Sequence, residues 1–394
     1  MYHVHYSCAV PPIFLLLSAT LFGIILHSDN SVKRRYLSLP FLATSWLSLA
    51  SHQQFWFSSE LLSLWNLSVL LYVLHSISLL YIEKATVSKP PPGLSAYRYY
   101  RHEVSSTYRL WGNPRLLPKA IETRNSSSLI QFIIHRALKL TFYYFAHTTL
   151  LPNLHNLIIG PLSPSDVNRH QSSLLVLSSS ASTLRSLVIR AHTSIYWIWE
   201  SLVFLDGANA LLSLLSVVIL RIDSPGDWPP LFGSPSSATS LSNFWSKFWH
   251  RLPARPYKNI GRFVAVDLLG LRPRSTPCNL LIAAIVFALS GGIHSFITWQ
   301  GGYRDWWREV AWYMLNFGGC TAERLVKHGV RRVAKKMGWS AQLKRIEGSC
   351  IGSLIGYVWV LVFFMWSVPF WKYPRMLMQT QVEILTKRMA SRQR

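Results

Sequence analysis

Apolar residues in this chain come in long runs rather than in alternation, which predicts helices and no exposed sheet. Seven runs stand out: Ala9 to Leu26, Leu61 to Ile82, Leu187 to Leu205, Ala208 to Leu220, Cys278 to Trp299, Val310 to Cys320 and Ile351 to Phe370. A hydrocarbon core of roughly 30 Å takes about 20 helical residues to cross, so the shorter runs predict tilted or broken helices. Pro40 to Ala50 and Leu129 to Leu151 are weaker runs, the second because Arg136 and Lys139 interrupt it. The pattern is that of an all-α polytopic membrane protein with about seven to nine transmembrane helices, forming a single domain over 1–394.

One stretch follows a different rule. In SLSNFWSKFWHRLP, Ser240 to Pro253, Phe244, Trp245, Phe248 and Trp249 fall within a sector of about 140° if the segment is helical. Asn243, Ser246, Lys247 and His250 take the opposite side. Ser240 or Ser242 supplies an N-cap and Pro253 a stop. The pattern predicts an interfacial amphipathic helix of about three turns, with the aromatics as its membrane anchor.

Composition supports the membrane reading: half of the residues are hydrophobic and 14% are charged. The net charge of +24 would suggest a nucleic-acid partner in a soluble chain, but the basic residues gather between apolar runs and form no soluble module, which excludes that class. Lys33, Arg34 and Arg35 follow the first run, Ser51 to Ser59 has no Lys or Arg, and Glu83 to Ser128 carries eight against three acids. These three loops predict a non-cytosolic N terminus. The later basic segments, Arg221 to Thr276, Glu323 to Glu347 and the tail after Phe370, do not all fit one side, so one segment is expected to be re-entrant or interfacial. The first run is read as a retained helix, because Met1 to Ala9 lacks the basic start of a signal peptide. The serine-rich Ser172 to Ser186 is read as a loop leading into a helix, and Asn125-Ser126-Ser127 matches a glycosylation sequon. Cys8, Cys278, Cys320 and Cys350 are single and show no metal-ligand spacing, so no metal is expected.

Candidate chemistry enters with a second histidine. No Lys, Arg, Asp or Glu occurs between Arg274 and Arg304, and His294 lies inside that run, after Ser290, Gly291 and Gly292. An ionisable side chain in a span faces a cavity or a partner far more often than lipid. The small residues before it would let another helix or a substrate approach the backbone.

The segment DWPPLFGSPSSATSLSNFWSKFWHRL, Asp227 to Leu252, resembles the signature of wax synthase-like enzymes in the membrane-bound O-acyltransferase superfamily. The matching residues are Trp228-Pro229, Phe232-Gly233, Ser240-Leu241, Phe244-Trp245 and Trp249-His250. The superfamily's second element, a membrane-embedded histidine after Ser-Gly, is matched by Ser290-Gly291 and His294, so the motif region runs over 227–299. Phe248 stands where relatives often carry a basic residue, and NPRLL, Asn113 to Leu117, loosely resembles a further element of the family.

The resemblance implies direct transfer of an acyl group from acyl-CoA, as co-substrate rather than bound cofactor, to a hydroxyl. It gives His294 the role of general base and His250 that of orienting the thioester or stabilising its oxyanion; Asn243 and Lys247, on the same predicted helical face as His250, are weaker candidates. Lys247, Arg251, Arg255 and Lys258, with Arg262, are candidates for the coenzyme phosphates. The chain looks most like fungal terpenoid and meroterpenoid acetyltransferases, which implies acetyl-CoA, a hydrophobic alcohol, and a place in the bilayer of the endoplasmic reticulum. A long-chain wax or sterol ester synthase is the alternative within the superfamily. A transporter or scaffold, to which Glu200 and Asp206 lend support, is the alternative outside it.

Overall fold

The computed structural model describes residues 8–55, 58–87, 93, 95–116, 128–174 and 183–392. Among them, helices joined by turns account for the architecture and no strand occurs. The sequon Asn125-Ser126-Ser127, Leu117 of the NPRLL element, the beginning of the chain through Ser7, and part of the serine-rich segment lie outside the described residues. Four helices are long and apolar enough to cross a membrane: Leu61–Ile82, Leu184–Ile219, Thr276–Gln300 and Cys350–Ser391. Val10–Leu26 is a shorter apolar helix.

The runs Leu187 to Leu205 and Ala208 to Leu220 are one continuous helix rather than two. The polar interruption at Asp206 does not break it, and Lys139 and Tyr143 from the helix Leu129–Phe145 both donate to one oxygen of its carboxylate inside the protein. Val310 to Cys320 is the apolar first half of Trp307–Lys336, whose second half is basic. Pro40 sits inside the helix Ser31–Ala50.

The chain divides into two compact units, one of residues 1–117 and 252–314, the other of 118–251 and 315–394. In the first, Val10–Leu26 and Ser31–Ala50 form a hairpin whose second helix is capped by Asn30, its side chain accepting from the Val32 and Lys33 amides. Small hydroxyls let the two helices close: Ser18 and Ser45 meet at 2.6 Å, and Ser48 donates to the Pro11 carbonyl at 2.9 Å. Phe22 and Phe41 pack edge-on against Tyr72, with Ile25, Leu26, Leu79 and Leu80 completing the core.

In the second unit the long helices Leu184–Leu214 and Cys350–Arg392 pack together around Arg190, which is fully buried. Pro369 has no amide hydrogen, so the helix leaves the carbonyl four residues earlier, that of Met365, without its usual donor. The Arg190 guanidinium donates to that carbonyl at 3.3 Å and to the Gln171 carbonyl, and lies over the Tyr373 ring.

Candidate active site

The motif begins with a turn fixed by local bonds. Ser224 caps it through Asp227, and the Trp228 indole donates to Asp223 at 3.1 Å. Arg136, one of the charges that interrupts the apolar run at 129–151, donates to the Trp228 carbonyl at 2.6 Å and so ties the motif to the helix Leu129–Phe145. Gly233 follows. Its amide donates to the Phe248 carbonyl at 2.8 Å, and a Cβ there would stand 2.0 Å from the Lys247 carbonyl oxygen. The Phe-Gly pair of the motif therefore has a steric reason: only glycine lets the loop lie on the end of the aromatic helix.

That helix starts as expected, with the Ser240 hydroxyl accepting from the Asn243 amide at 3.1 Å. It is shorter than the periodicity predicts. Leu241–Asn243 passes into a π-helical turn, Phe244–Phe248, and Trp249 is already extended at ψ 150°. Its aromatic side is covered by protein rather than left for lipid: Phe244, Phe248 and Trp249 are buried. Trp197 sits among them, with ring centroids 5.1 Å from Trp249 and 5.4 Å from Phe364. Phe244 stacks on Trp249 at 5.3 Å.

Because the helix ends before it, His250 does not share a helical face with Asn243 and Lys247. The half-buried imidazole is instead held between the Phe232 and Trp249 rings, 5.6 Å from each. Asn243 is half-buried, while Lys247 and Arg251 are exposed. Two supporting residues were invisible in the motif itself. Glu323 accepts from the Leu241 amide at 2.7 Å and from the Trp359 indole at 3.0 Å, placing a carboxylate at the helix N-terminus. Buried Asn316 accepts from the Trp245 indole at 3.1 Å. The available signal was an amide inside the apolar run Val310 to Cys320 and an acid just beyond its end.

His294 lies in the first unit, on Thr276–Gln300, a helix capped by Ser275 with a proline in its first turn. Its neighbours fix one face. Gly291 brings the backbone against Trp307–Lys336, where a Cβ would stand 2.8 Å from the Val310 Cα. Ser295 donates to the Trp306 carbonyl and Thr298 to the Glu309 carboxylate, both at 2.8 Å. His294 sits beside this seam, half-buried and stacked on Tyr313 with centroids 5.3 Å apart and planes 16° apart. Gly292 faces open space. Of the two adjacent glycines, Gly291 serves helix packing on the Tyr313 side where His294 stacks, and Gly292, about 200° round the helix from His294, lies on the opposite face.

The seven predicted site residues fall into two sets: Asn243, Lys247, His250 and Arg251 in the second unit, Arg255, Lys258 and His294 in the first. Lys258 is exposed, as is Arg262. Arg255 pairs with Glu83, which also accepts from Asn259 and, at 2.8 Å, from Ser78. Among the described residues no group of three or more His, Cys, Asp or Glu is placed to hold a metal ion.

Residues 228–316 match the Membrane bound O-acyl transferase family. The chain is 26% identical to the acetyltransferase aurG of Calcarisporium arbuscula over 70% of its own length and 65% of that protein's. It is 28% identical to the acetyltransferase nanB of Aspergillus nanangensis, covering 51% of this chain and 47% of the relative. It is also 28% identical to the acetyltransferase TRI7 of Fusarium sporotrichioides, covering 45% and 40%. The matches thus span less than two thirds of each relative. No solved structure matches the chain. From the Trp228 turn through His294 to Asn316, the chain carries the pattern of the Membrane bound O-acyl transferase family, and it resembles fungal acetyltransferases.

Proposed function

We propose that this protein is an integral membrane O-acetyltransferase that moves an acetyl group from acetyl-CoA to a hydroxyl of a hydrophobic acceptor, the whole of 1–394 acting as one catalytic domain. The observation that carries the reading is His294. It is a half-buried imidazole in a span with no Asp, Glu, Lys or Arg, stacked on Tyr313 beside the close helix approach at Gly291. An alcohol is a poor nucleophile until its proton leaves, and histidine, with an ordinary pKa near 6.5, takes that proton at neutral pH. The alcohol oxygen attacks the thioester carbonyl while His294 accepts the proton. The tetrahedral oxyanion then collapses, the carbon–sulfur bond breaks, and the imidazolium returns the proton to the departing thiolate.

His250, at the histidine position of the motif, is proposed to meet the thioester carbonyl and its oxyanion, with Asn243 as the weaker candidate. Exposed Lys247, Arg251 and Lys258 are proposed to meet the coenzyme phosphates, a role that Arg255 shares only by loosening its pair with Glu83. Similarity to fungal acetyltransferases supports acetyl as the acyl group; a terpenoid or meroterpenoid acceptor and the endoplasmic reticulum as the site of action are proposed on the family resemblance of the motif.

The test is a transfer assay in microsomes with labelled acetyl-CoA and a panel of hydroxylated terpenoids, using wild type and His294→Ala at equal abundance. Ester formed by the wild type and lost by at least about 100-fold in the variant fits the base assignment. Equal ester from both removes it, and ester formed only from palmitoyl-CoA moves the protein to the long-chain class.

A further inference from the structure

The second unit holds a polar cluster that the transfer chemistry above does not use. Lys139 and Tyr143, on the helix Leu129–Phe145, each donate to Oδ2 of Asp206 at 2.8 Å. Asp206 is 5% exposed, and its other oxygen, Oδ1, is buried with no hydrogen-bond partner among the described residues. The same is true of Nδ2 of Asn209 and Nε1 of Trp199. At about 100° per residue these three side chains fall within a sector of about 80° on Leu184–Leu214. Tyr143 marks the helix they face, since its ring is 5.9 Å from that of Trp199. One acceptor and two donors thus lie unsatisfied on one face of an apolar span, where water does not readily complete them. The flanking rings of Phe142 and Trp199 add apolar wall.

We infer that this face is an oxygen-recognition subsite for an apolar polyol, the acceptor class of the reaction; in that respect the inference rests on the acetyltransferase reading. A hydroxyl of the guest donates to Asp206 Oδ1 and its oxygen accepts from Asn209 Nδ2 or Trp199 Nε1. The oxygen held here is a second one, not the one acylated, so the subsite selects acceptors by their further oxidation. Asp206, Asn209 and Trp199 are specificity-determining residues rather than catalytic ones. Lys139, whose side chain is 31% exposed, holds the carboxylate in place. This also accounts for the acid that interrupts the apolar run at 206.

The test uses full-length protein in nanodiscs with a tritiated diterpene diol and its mono-O-methyl ether as probes. Wild type is expected to bind the diol about tenfold more tightly than the ether, the worth of one hydrogen bond to a charged group. Asn209→Leu and Trp199→Phe, each with an unchanged melting temperature, should reduce that preference, and Asp206→Asn should remove most of it. Equal binding of both probes by the wild type overturns the inference, as does a variant that weakens both equally. Transfer from acetyl-CoA is measured in the same samples. Preferential diol binding without ester formation would sink the acetyltransferase reading and leave the subsite standing.

Discussion

Replacing Gly233 by alanine adds one methyl group at the point where the motif loop rests on the aromatic helix. The new Cβ would stand 2.0 Å from the Lys247 carbonyl oxygen and 3.3 Å from the Phe248 Cα, both backbone atoms that cannot swing aside. Real Cβ contacts stay above 3.0 Å, so the loop and the helix end must separate by about 1 Å. That separation strains or breaks the 2.8 Å bond from the Gly233 amide to the Phe248 carbonyl. Overpacking costs about 1–3 kcal/mol and a lost backbone hydrogen bond about 1 kcal/mol, which together predict about 2–4 kcal/mol of destabilisation. His250 follows Phe248 by two residues and lies against Phe232, so the displacement moves the proposed oxyanion group by a similar distance. A shift of about 1 Å in a reacting array costs about 100-fold in rate. The assay is thermal melting in detergent together with initial rates of ester formation at saturating acetyl-CoA. Gly292→Ala is the matched control, because nothing lies within 4 Å of its Cβ and alanine favours a helix by about 1 kcal/mol. A Gly233→Ala protein that melts and turns over like the wild type would refute the seating of this loop on the helix end.

Three further outcomes follow from the same geometry. Gly291→Ala should lower the melting temperature, whereas Gly292→Ala should leave it equal or higher; overpacking against Val310 costs about 1–3 kcal/mol, and the pair of melts decides it. Lys258→Gln should raise the KM for acetyl-CoA several-fold with no change in melting, whereas Arg255→Gln should also lower the melting temperature, since it strips Glu83 of its cation; an unmoved KM in both removes their phosphate role. Hydrogen bonds from Arg185 hold the Asp166 carboxyl down at about 2, so its contribution is present above the unfolded carboxylate value near 3.9 and is lost as pH falls through about 2. Arg185→Gln should therefore shift the acid-unfolding midpoint upward, and a midpoint that stays put would contradict the pairing.

The spans were legible wherever local composition decides them. The run Cys278 to Trp299 lies inside Thr276–Gln300 with two residues or fewer to spare at the start and one at the end, because charge-free sequence and a Ser-Thr-Pro start are local signals. Ile351 to Phe370 understates Cys350–Arg392 because the helix continues through a polar tail that hydropathy ignores. The break expected near Asp206 is absent because its cation, Lys139, lies 67 residues earlier in the chain. In the motif, the N-cap at Ser240 and the placement of the aromatics on one side were readable. The stop after Phe248 was not, since the rings that cover it, Trp197 and Phe364, come from remote helices. Glu323 and Asn316 were hidden for the same reason: what they support lies about 80 and 71 residues away.

The Arg190 contact sets an order of events during synthesis. The guanidinium enters the membrane with its own helix, yet the Met365 carbonyl that Pro369 leaves open is 175 residues further along the chain. Until that part leaves the ribosome, the nascent protein carries a charge in lipid with only the Gln171 carbonyl to receive it. The last helix is thus the one that closes the account of an earlier one, and a chain cut short before Met365 should be held by the insertion machinery or cleared rather than accumulate half-built.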